Sequence, residues 1–495
     1  MKYVLSIDAG TTGITALLVG ADARIHATGY REFPQYFPQP GWVSHDADEI
    51  WAATLAASGD VVQRFGTEDI VAIGITNQRE TTVVWDKATS KPVDKAIVWQ
   101  CRRTAARCDE LRAQGHEPRI RELTGLVVDA YFSGTKAEWL LDHVDGARER
   151  AEQGELAFGT IDTWLVWKLT SGSVHATDPS NASRTMLYDI HTLSWSDELT
   201  KLLHVPSAML PDVRPSSGRF GVSDPAAMHG LSVPISGIAG DQQAALFGQG
   251  CYHAGRSKNT YGTGSFLLLN AGRTAPPVRE GLLSTVAWTI DGKTDYALEG
   301  SIFVTGATLN WLRDGLGLIS RFDEAEPLAA SVSDTDGVYL VPAFTGLGSP
   351  YWDPYARGTI IGLTRGTSKA HIVRAAIEAM AHQSQDVMEA MAATTGSSPT
   401  ELRVDGGAVR MDLLCQLQAD LSAIPVIRPV VRETTALGAA FLAGLAEGMW
   451  DGLDALEASW GVEKRFEPQM DEAARTRARD TWRRAVERSR NWETG

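Results

Sequence analysis

The sequence predicts an α/β protein of two related domains that face one another across a cleft. Three observations predict it. The chain opens with strands followed by a helix and another strand, a mixed grammar that excludes separate all-α or all-β units. The same strand and turn pattern restarts at residue 259. The length, 495 residues, is enough for two large domains that each bury a core.

In order along the chain, "YVLSID" (3–8), "ITALLVG" (14–20) and "RIHATGYREF" (24–33) read as an antiparallel meander joined by short turns. "SHDADEIWAATLAASGDVVQRF" starts with capping acceptors and continues with apolar residues at helical spacing, and the strand "VAIGIT" (71–76) follows. In the second half, "NTYGTGSFLLLNAG" (259–272) is again strand, Gly-Thr-Gly turn and strand, and "LRVDGGAV" (402–409) is a strand ending in Asp-Gly-Gly. The boundary is expected within "GQGCYHAGRS", giving domains 1–250 and 251–495. The C-terminal "DEAARTRARDTWRRAVERSRNW" reads as a helix that buries Ala478, Trp482, Ala485, Val486 and Ser489 and solvates its arginines.

Lys and Arg number 46 and Asp and Glu 61, a formal charge of −15 that disfavours nonspecific attraction to nucleic acid or anionic membrane. The four cysteines have neither zinc-ligand spacing nor a disulfide framework, and read as buried thiols of a reducing compartment. The longest nearly apolar run, "ALGAAFLAGLA", is too short to span a bilayer, and the first residues are unlike a secretory leader. A cytoplasmic protein with no membrane insertion is expected.

Standard nucleotide motifs fail. "IDGKTDY" (290–296) contains Gly-Lys-Thr, but Ala287 stands where a Walker A loop needs its first glycine, and an Asp-Gly hairpin is the better account. Three Gly-rich strand ends supply another architecture. Asp8-Ala9-Gly10-Thr11-Thr12-Gly13 is either a hairpin turn or a loop offering a carboxylate for Mg²⁺, with amides and hydroxyls for phosphate oxygens. Gly262-Thr263-Gly264 offers a second such turn, and Asp405-Gly406-Gly407 lets a nucleoside approach bare backbone.

Asp241, where a strand meets the helix of "GDQQAALFG", is either a helix cap or a base aimed at an attacking hydroxyl. Arg79 and Glu80, in "ITNQRETTVVWD", form either a surface ion pair or a donor and acceptor for vicinal hydroxyls. Trp99 and Tyr131 are either core aromatics or part of the same acceptor site.

Taken together, "SIDAGTT", "ITNQRETT", "IVWQCRRT", "YFSGTKAEWLLDH", "SGIAGDQQAALFGQ", "NTYGTG", "VPAFTGLGSPYWDPYARG", "GTIIGLTRGTSKAHIVRAAIEA", "VDGGAV" and "ETTALGAAFLAGLA" resemble the FGGY carbohydrate kinase family over essentially the whole chain. The resemblance implies two actin-like (ribonuclease H-like) ATPase domains about a central cleft. "ITNQRET" and "WQCRR" mark the branch that phosphorylates glycerol, with ATP as donor, Mg²⁺ as metal, sn-glycerol 3-phosphate and ADP as products, and glycerol catabolism as the setting. It also implies a homo-oligomer of two or four chains.

By the same resemblance Arg79, Glu80, Tyr131, Asp241 and Gln242 hold glycerol, Trp99 and Phe266 cover its carbons, and Asp241 is the catalytic base. Gly10, Thr11, Thr12, Gly13, Gly262, Thr263, Gly306, Asn310, Gly407 and Met411 fall at nucleotide positions, and Asp8 and Asp241 at the metal. Two residues depart from the family pattern: Thr15 replaces an arginine expected beside the phosphates, and Met411 an asparagine near the adenosine. A kinase of another polyol or ketose, or an ATP-driven binding protein of the same fold, are the rival readings.

Overall fold

The computed structural model describes residues 1–279 and 281–493. Its principal sheet has thirteen strands. In chain order these are β1 (Tyr3–Ala9), β2 (Gly13–Gly20), β3 (Ile25–Glu32), β4 (Ile70–Asn77), β5 (Ser217–Val222), β6 (Pro234–Gly240), β7 (Arg256–Tyr261), β8 (Ser265–Gly272), β9 (Leu283–Ile290), β10 (Lys293–Ile302), β11 (Glu401–Asp405), β12 (Val426–Pro429) and β13 (Val462–Phe466).

The spatial order is β13-β12-β11-β7-β8-β10-β9-β5-β6-β4-β1-β2-β3, which contains one arrangement twice. In the first half β1 runs antiparallel to β2 and β2 to β3, while β1 pairs in parallel with β4 and β4 with β6. In the second half β7, β8 and β10 repeat the antiparallel meander, and β7, β11 and β12 repeat the parallel extension. The duplication that the turn motifs suggested is therefore one of topology. Strands β5 and β9 join the halves through a single residue pair, Ser217 with Ile290.

Local chemistry accounts for the elements. Asp46 caps the helix Ala47–Phe65 by accepting from the amides of Asp48 and Glu49. Asp291 and Gly292, both at positive φ (49° and 70°), make the tight turn between β9 and β10, so the Gly-Lys-Thr there is a hairpin. The helix Glu472–Ser489 buries Trp482, Ala485, Val486 and Ser489 as its pattern predicted, but Ala478 is only half-buried, and Arg479, expected in solvent with the other arginines, is buried because Asp386 and Glu389 pair with it.

The helices that follow β6 and β12, Asp241–Gly248 and Thr434–Ala446, occupy equivalent places in the two repeats and cross each other. Small residues permit the crossing: a Cβ on Gly438 would lie 1.9 Å from the Ala244 carbonyl oxygen. The second of these helices also packs on β1, β4 and β6. A helix of the second half is thus built into the first. Residues 78–216, between β4 and β5, wrap a separate apolar cluster that includes Val84, Leu126, Phe132, Leu141 and Phe158. No helix among the described residues is long and apolar enough to cross a membrane.

Candidate active site

Strands β4 and β6 are parallel neighbours, so their ends deliver Arg79-Glu80 and Asp241 to the same edge of the sheet. Asp241 is the first residue of its helix, whose N-cap is Gly240, and its Oδ1 accepts the first-turn amide of Gln242 at 2.7 Å. A capping role therefore accounts for one oxygen of the carboxylate and leaves the other open. Arg79 Nε lies 3.2 Å from Asp241 Oδ1 and 3.8 Å from Glu80 Oε1. Arg79 and Glu80 are 2% and 1% exposed, which removes the surface ion pair as an explanation, whereas the Asp241 side chain keeps 29% of its surface open.

Burial raises the Asp241 carboxyl above its usual range, against the opposing pull of Arg79 and Lys258. The fork of Arg79 is taken by Glu299 of β10, with Nη1 2.5 Å from Oε2 and Nη2 3.0 Å from Oε1. Burial acts to raise Glu299 too, but Arg184 and Arg79 outweigh it and hold the carboxyl at about 2.

Arg184 connects this cluster to the aromatics. It donates to Glu80 at 2.6 Å and to Glu299 at 3.1 Å, and its guanidinium carbon lies 5.7 Å from the centre of the Tyr131 ring. Tyr131 meets Trp99 edge-on at 5.6 Å, and the Trp99 indole donates to the Thr11 hydroxyl at 3.0 Å. Gln242 accepts from Lys258 of β7 at 2.5 Å; the same ammonium donates to Thr260 at 2.9 Å, and Thr260 pairs across the ladder with Phe266.

The turn between β1 and β2 is held from outside by its carbonyls. Gln78 donates to Gly10, Gln35 to Thr11 and the Phe33 amide to Thr12. The amides of Gly10, Thr11 and Thr12 have no acceptor among the described residues, as a phosphate loop requires. Gly13 already belongs to β2. Burial, with Asp241 adding to it, pushes the Asp8 carboxyl up to about 7.

In the second half, the amides of Thr305 and Ala307 donate to the Thr263 carbonyl, and that of Gly306 to the Gly262 carbonyl. The helix Gly306–Asp314, which carries Asn310, is thereby docked on the Gly262-Thr263 turn. Gly406 and Gly407 have different tasks. A Cβ on Gly406 would lie 2.4 Å from the Tyr261 carbonyl, so that glycine serves strand packing, while Gly407 is exposed with no atom within 4 Å of a Cβ. Met411 is 8% exposed and lies in the apolar core of the second half.

Residues 3–248 match the N-terminal domain of the FGGY family of carbohydrate kinases, and residues 257–447 its C-terminal domain. The chain belongs to the FGGY family of carbohydrate kinases. It is 58% identical over 494 residues to a glycerol kinase of Carboxydothermus hydrogenoformans, covering 99% of both chains. It is 58% identical over 487 residues to a glycerol kinase of Thermus thermophilus, covering 98% of both. The Plasmodium falciparum glycerol kinase crystallised with ADP superposes with a TM-score of 0.94 at 34% identity, over 99% of this chain and 98% of that one. A gluconate kinase of Lactobacillus acidophilus, 20% identical over 98% of this chain and 97% of its own, shares the fold with a TM-score of 0.87.

The actin-like ATPase fold expected from the sequence motifs is thus shown for this FGGY kinase. Four site residues escaped the sequence reading: Lys136, Arg184, Lys258 and Glu299. Glu299 left a signal, a lone acid among the apolar and small residues of "YALEGSI", which the structure buries within β10. Lys136 left one as well, as the single cation of "YFSGTKAEWLLDH"; its ammonium is fully buried and donates to the carbonyls of Tyr131 (2.6 Å) and Glu80 (3.2 Å).

Proposed function

We propose that this kinase transfers the γ-phosphoryl group of ATP to glycerol, giving sn-glycerol 3-phosphate and ADP, in the cytoplasm and in the service of glycerol breakdown. The observation that carries the reading is the Arg79 guanidinium, poised between Glu80 and Asp241 in a chain 58% identical to proteins named glycerol kinase. Glycerol is small and neutral, so only directional bonds can select it, and charged partners make the stronger ones. Arg79 donates to one hydroxyl, Glu80 accepts from its neighbour, and Trp99, Tyr131 and Phe266 bound the carbons.

Asp241 is the base. Arg79 and the Gln242 amide both engage Oδ1, and no protein donor among the described residues reaches Oδ2, which is left to take the proton of the attacking hydroxyl. Oriented in this way, the base and the hydroxyl convert the transfer into a step dominated by positioning. The β1–β2 turn and the Gly262-Thr263 turn grip the phosphates with amides and hydroxyls, and Gly407 passes the nucleoside.

Mg²⁺ suits Asp8 and Asp241. Two carboxylates whose mutual repulsion helps to lift Asp8 to about 7 form a local excess of negative charge that a divalent cation relieves. No cluster of three or more ligating side chains exists among the described residues, which agrees with a hydrated Mg²⁺ held by one or two carboxylates and by substrate phosphates. When bound, the ion supplies charge neutralisation to the phosphates. The repeated topology supports a division at residues 1–250 and 251–495, with most of the acceptor site in the first part and most of the nucleotide site in the second. A homo-oligomer is part of the same reading.

The test is coupled ADP release from Mg-ATP with glycerol, dihydroxyacetone, D-xylulose, L-ribulose and no acceptor, beside Asp241→Asn. Glycerol-dependent turnover that falls by about 10²-fold or more in the variant is expected. Turnover only with a ketose overturns the substrate, and acceptor-independent hydrolysis overturns the kinase reading.

A further inference from the structure

The segment Asp178–Arg184 sits under the acceptor site and reaches three separate parts of it. The Ser180 hydroxyl accepts the Gly240 amide at 2.9 Å, immediately before Asp241. Asn181 exchanges side-chain hydrogen bonds with Asn77 at 3.0 and 3.1 Å, two residues before Arg79. Arg184 bonds the carboxylates of both Glu80 and Glu299. The segment is itself anchored, because Asp178 accepts from the amides of Ser180 and Asn181 and from the Ser216 hydroxyl. Every one of these side chains is buried.

Arg184 closes a ring of alternating charge: Arg79, Glu299, Arg184, Glu80 and back to Arg79, with contacts of 2.5, 3.1, 2.6 and 3.8 Å. Two of its members, Arg79 and Glu80, are the acceptor-binding pair; the other two touch neither Asp241 nor the phosphate turns. Without Arg184, the Glu80 carboxylate would lose its one hydrogen-bonded cation, keeping the 3.8 Å approach of Arg79 and the weaker pull of Lys136, and Glu299 would draw on Arg79 and, more weakly, on Lys258. Arg184 also carries a buried Nη1 with no partner among the described residues. A fully buried guanidinium with a donor to spare carries a desolvation cost, which its bonds to Glu80 and Glu299 must offset.

We propose that Arg184 is the positioning residue of the acceptor site, fixing the Glu80 carboxylate against Arg79 so that the pair presents one acceptor and one donor to vicinal hydroxyls. Its effect is on recognition of the alcohol and not on the nucleotide. The proposal rests on the reading of Arg79, Glu80 and Asp241 as the acceptor site.

The experiment compares Arg184→Lys, Arg184→Met, Glu80→Gln and the Arg184→Met/Glu80→Gln double variant. KM and kcat are measured with glycerol and with ATP varied in turn, and ADP affinity is measured by calorimetry to show that each variant is folded. Arg184→Lys, which retains one charge-assisted bond and loses the fork, should raise the glycerol KM about tenfold. Arg184→Met should raise it further, both with ATP KM and ADP affinity within about twofold of the parent. The double variant should be little worse than Glu80→Gln alone, because the two residues act as one unit. Equal damage to both substrates, full additivity, or an unchanged glycerol KM in Arg184→Lys overturns the proposal. Arg184→Lys replaces Arg184→Met if ADP binding shows that the methionine variant has not folded. An unchanged glycerol KM in Glu80→Gln is a different failure, since it removes the acceptor site on which the proposal stands.

Discussion

The Trp99 indole N–H donates to the Thr11 hydroxyl at 3.0 Å, so a residue of the proposed acceptor site holds a residue of the proposed phosphate turn. Trp99→Phe keeps a ring beside Tyr131 and removes only the donor. The loss of one neutral hydrogen bond predicts a two- to fivefold rise in ATP KM, roughly 0.5–1 kcal/mol, with a smaller change for glycerol. Trp99→Ala also removes the ring and should raise the glycerol KM about tenfold or more. Steady-state kinetics with each substrate varied separates the two effects.

The fold was legible because its turns carry their chemistry locally. Asp-Gly and Gly-Thr-Gly at strand ends, and Asp46 before an amphipathic run, are each readable within six residues. The polar half of the candidate site was legible where unusual residues cluster in one stretch, as Arg79 and Glu80 do. What could not be read was the pairing at long range. Glu299 is 220 residues from Arg79, and Arg184 is 104 from Glu80; no local pattern announces that such charges neutralise one another. Nor could the sequence say that Gly406 packs against a strand while its neighbour Gly407 stays open.

Lys136 makes stability depend on pH. Burial pushes its amine down to about 7, against the counter-pull of Glu80, while the unfolded chain keeps it protonated to about 10.5. Between those values the unfolded state binds more protons, so folding gains stability as pH rises. Glu80, Cys101, Cys108 and Asp129 are the ionisable groups that act on it. In Lys136→Met this contribution is absent. Urea unfolding at about pH 7, 8 and 9 should show the parent gaining on the variant by up to about 1.4 kcal/mol per pH unit. A flat difference would show that the amine is solvated or paired.

Thr15 lies directly opposite Asp8 in the β1–β2 register, at the position where the family resemblance implies an arginine. Asp8 therefore has no cation across the ladder to offset its burial and the charge of Asp241, which fits its raised carboxyl. In Thr15→Arg the guanidinium would sit across the ladder from Asp8 and draw its carboxyl back toward the ordinary range. The expected outcome is a change of at least about threefold in the KM for Mg-ATP, roughly 0.7 kcal/mol, with glycerol KM unaltered. Unchanged ATP kinetics would show that position 15 does not act on the phosphates.

Two glycines separate packing from access. On the Thr434–Ala446 helix, Gly438 meets the helix Asp241–Gly248 so closely that an alanine Cβ would sit 1.9 Å from the Ala244 carbonyl oxygen, and backbone cannot yield as a flexible side chain can. Gly438→Ala should cost about 3 kcal/mol by forcing the helices apart, and the loss should appear in urea unfolding before any assay of turnover. Gly407→Ala meets no atom within 4 Å and needs no unusual backbone angle, so its stability should stay within about 0.5 kcal/mol of the parent. If the nucleoside lies over that bare backbone, the added methyl should nonetheless raise the ATP KM about fivefold and leave glycerol KM unchanged. A stable Gly407→Ala enzyme with normal ATP kinetics would move the nucleoside away from this turn, whereas a stable Gly438→Ala protein would mean that the helix crossing tolerates a wider separation than its geometry implies.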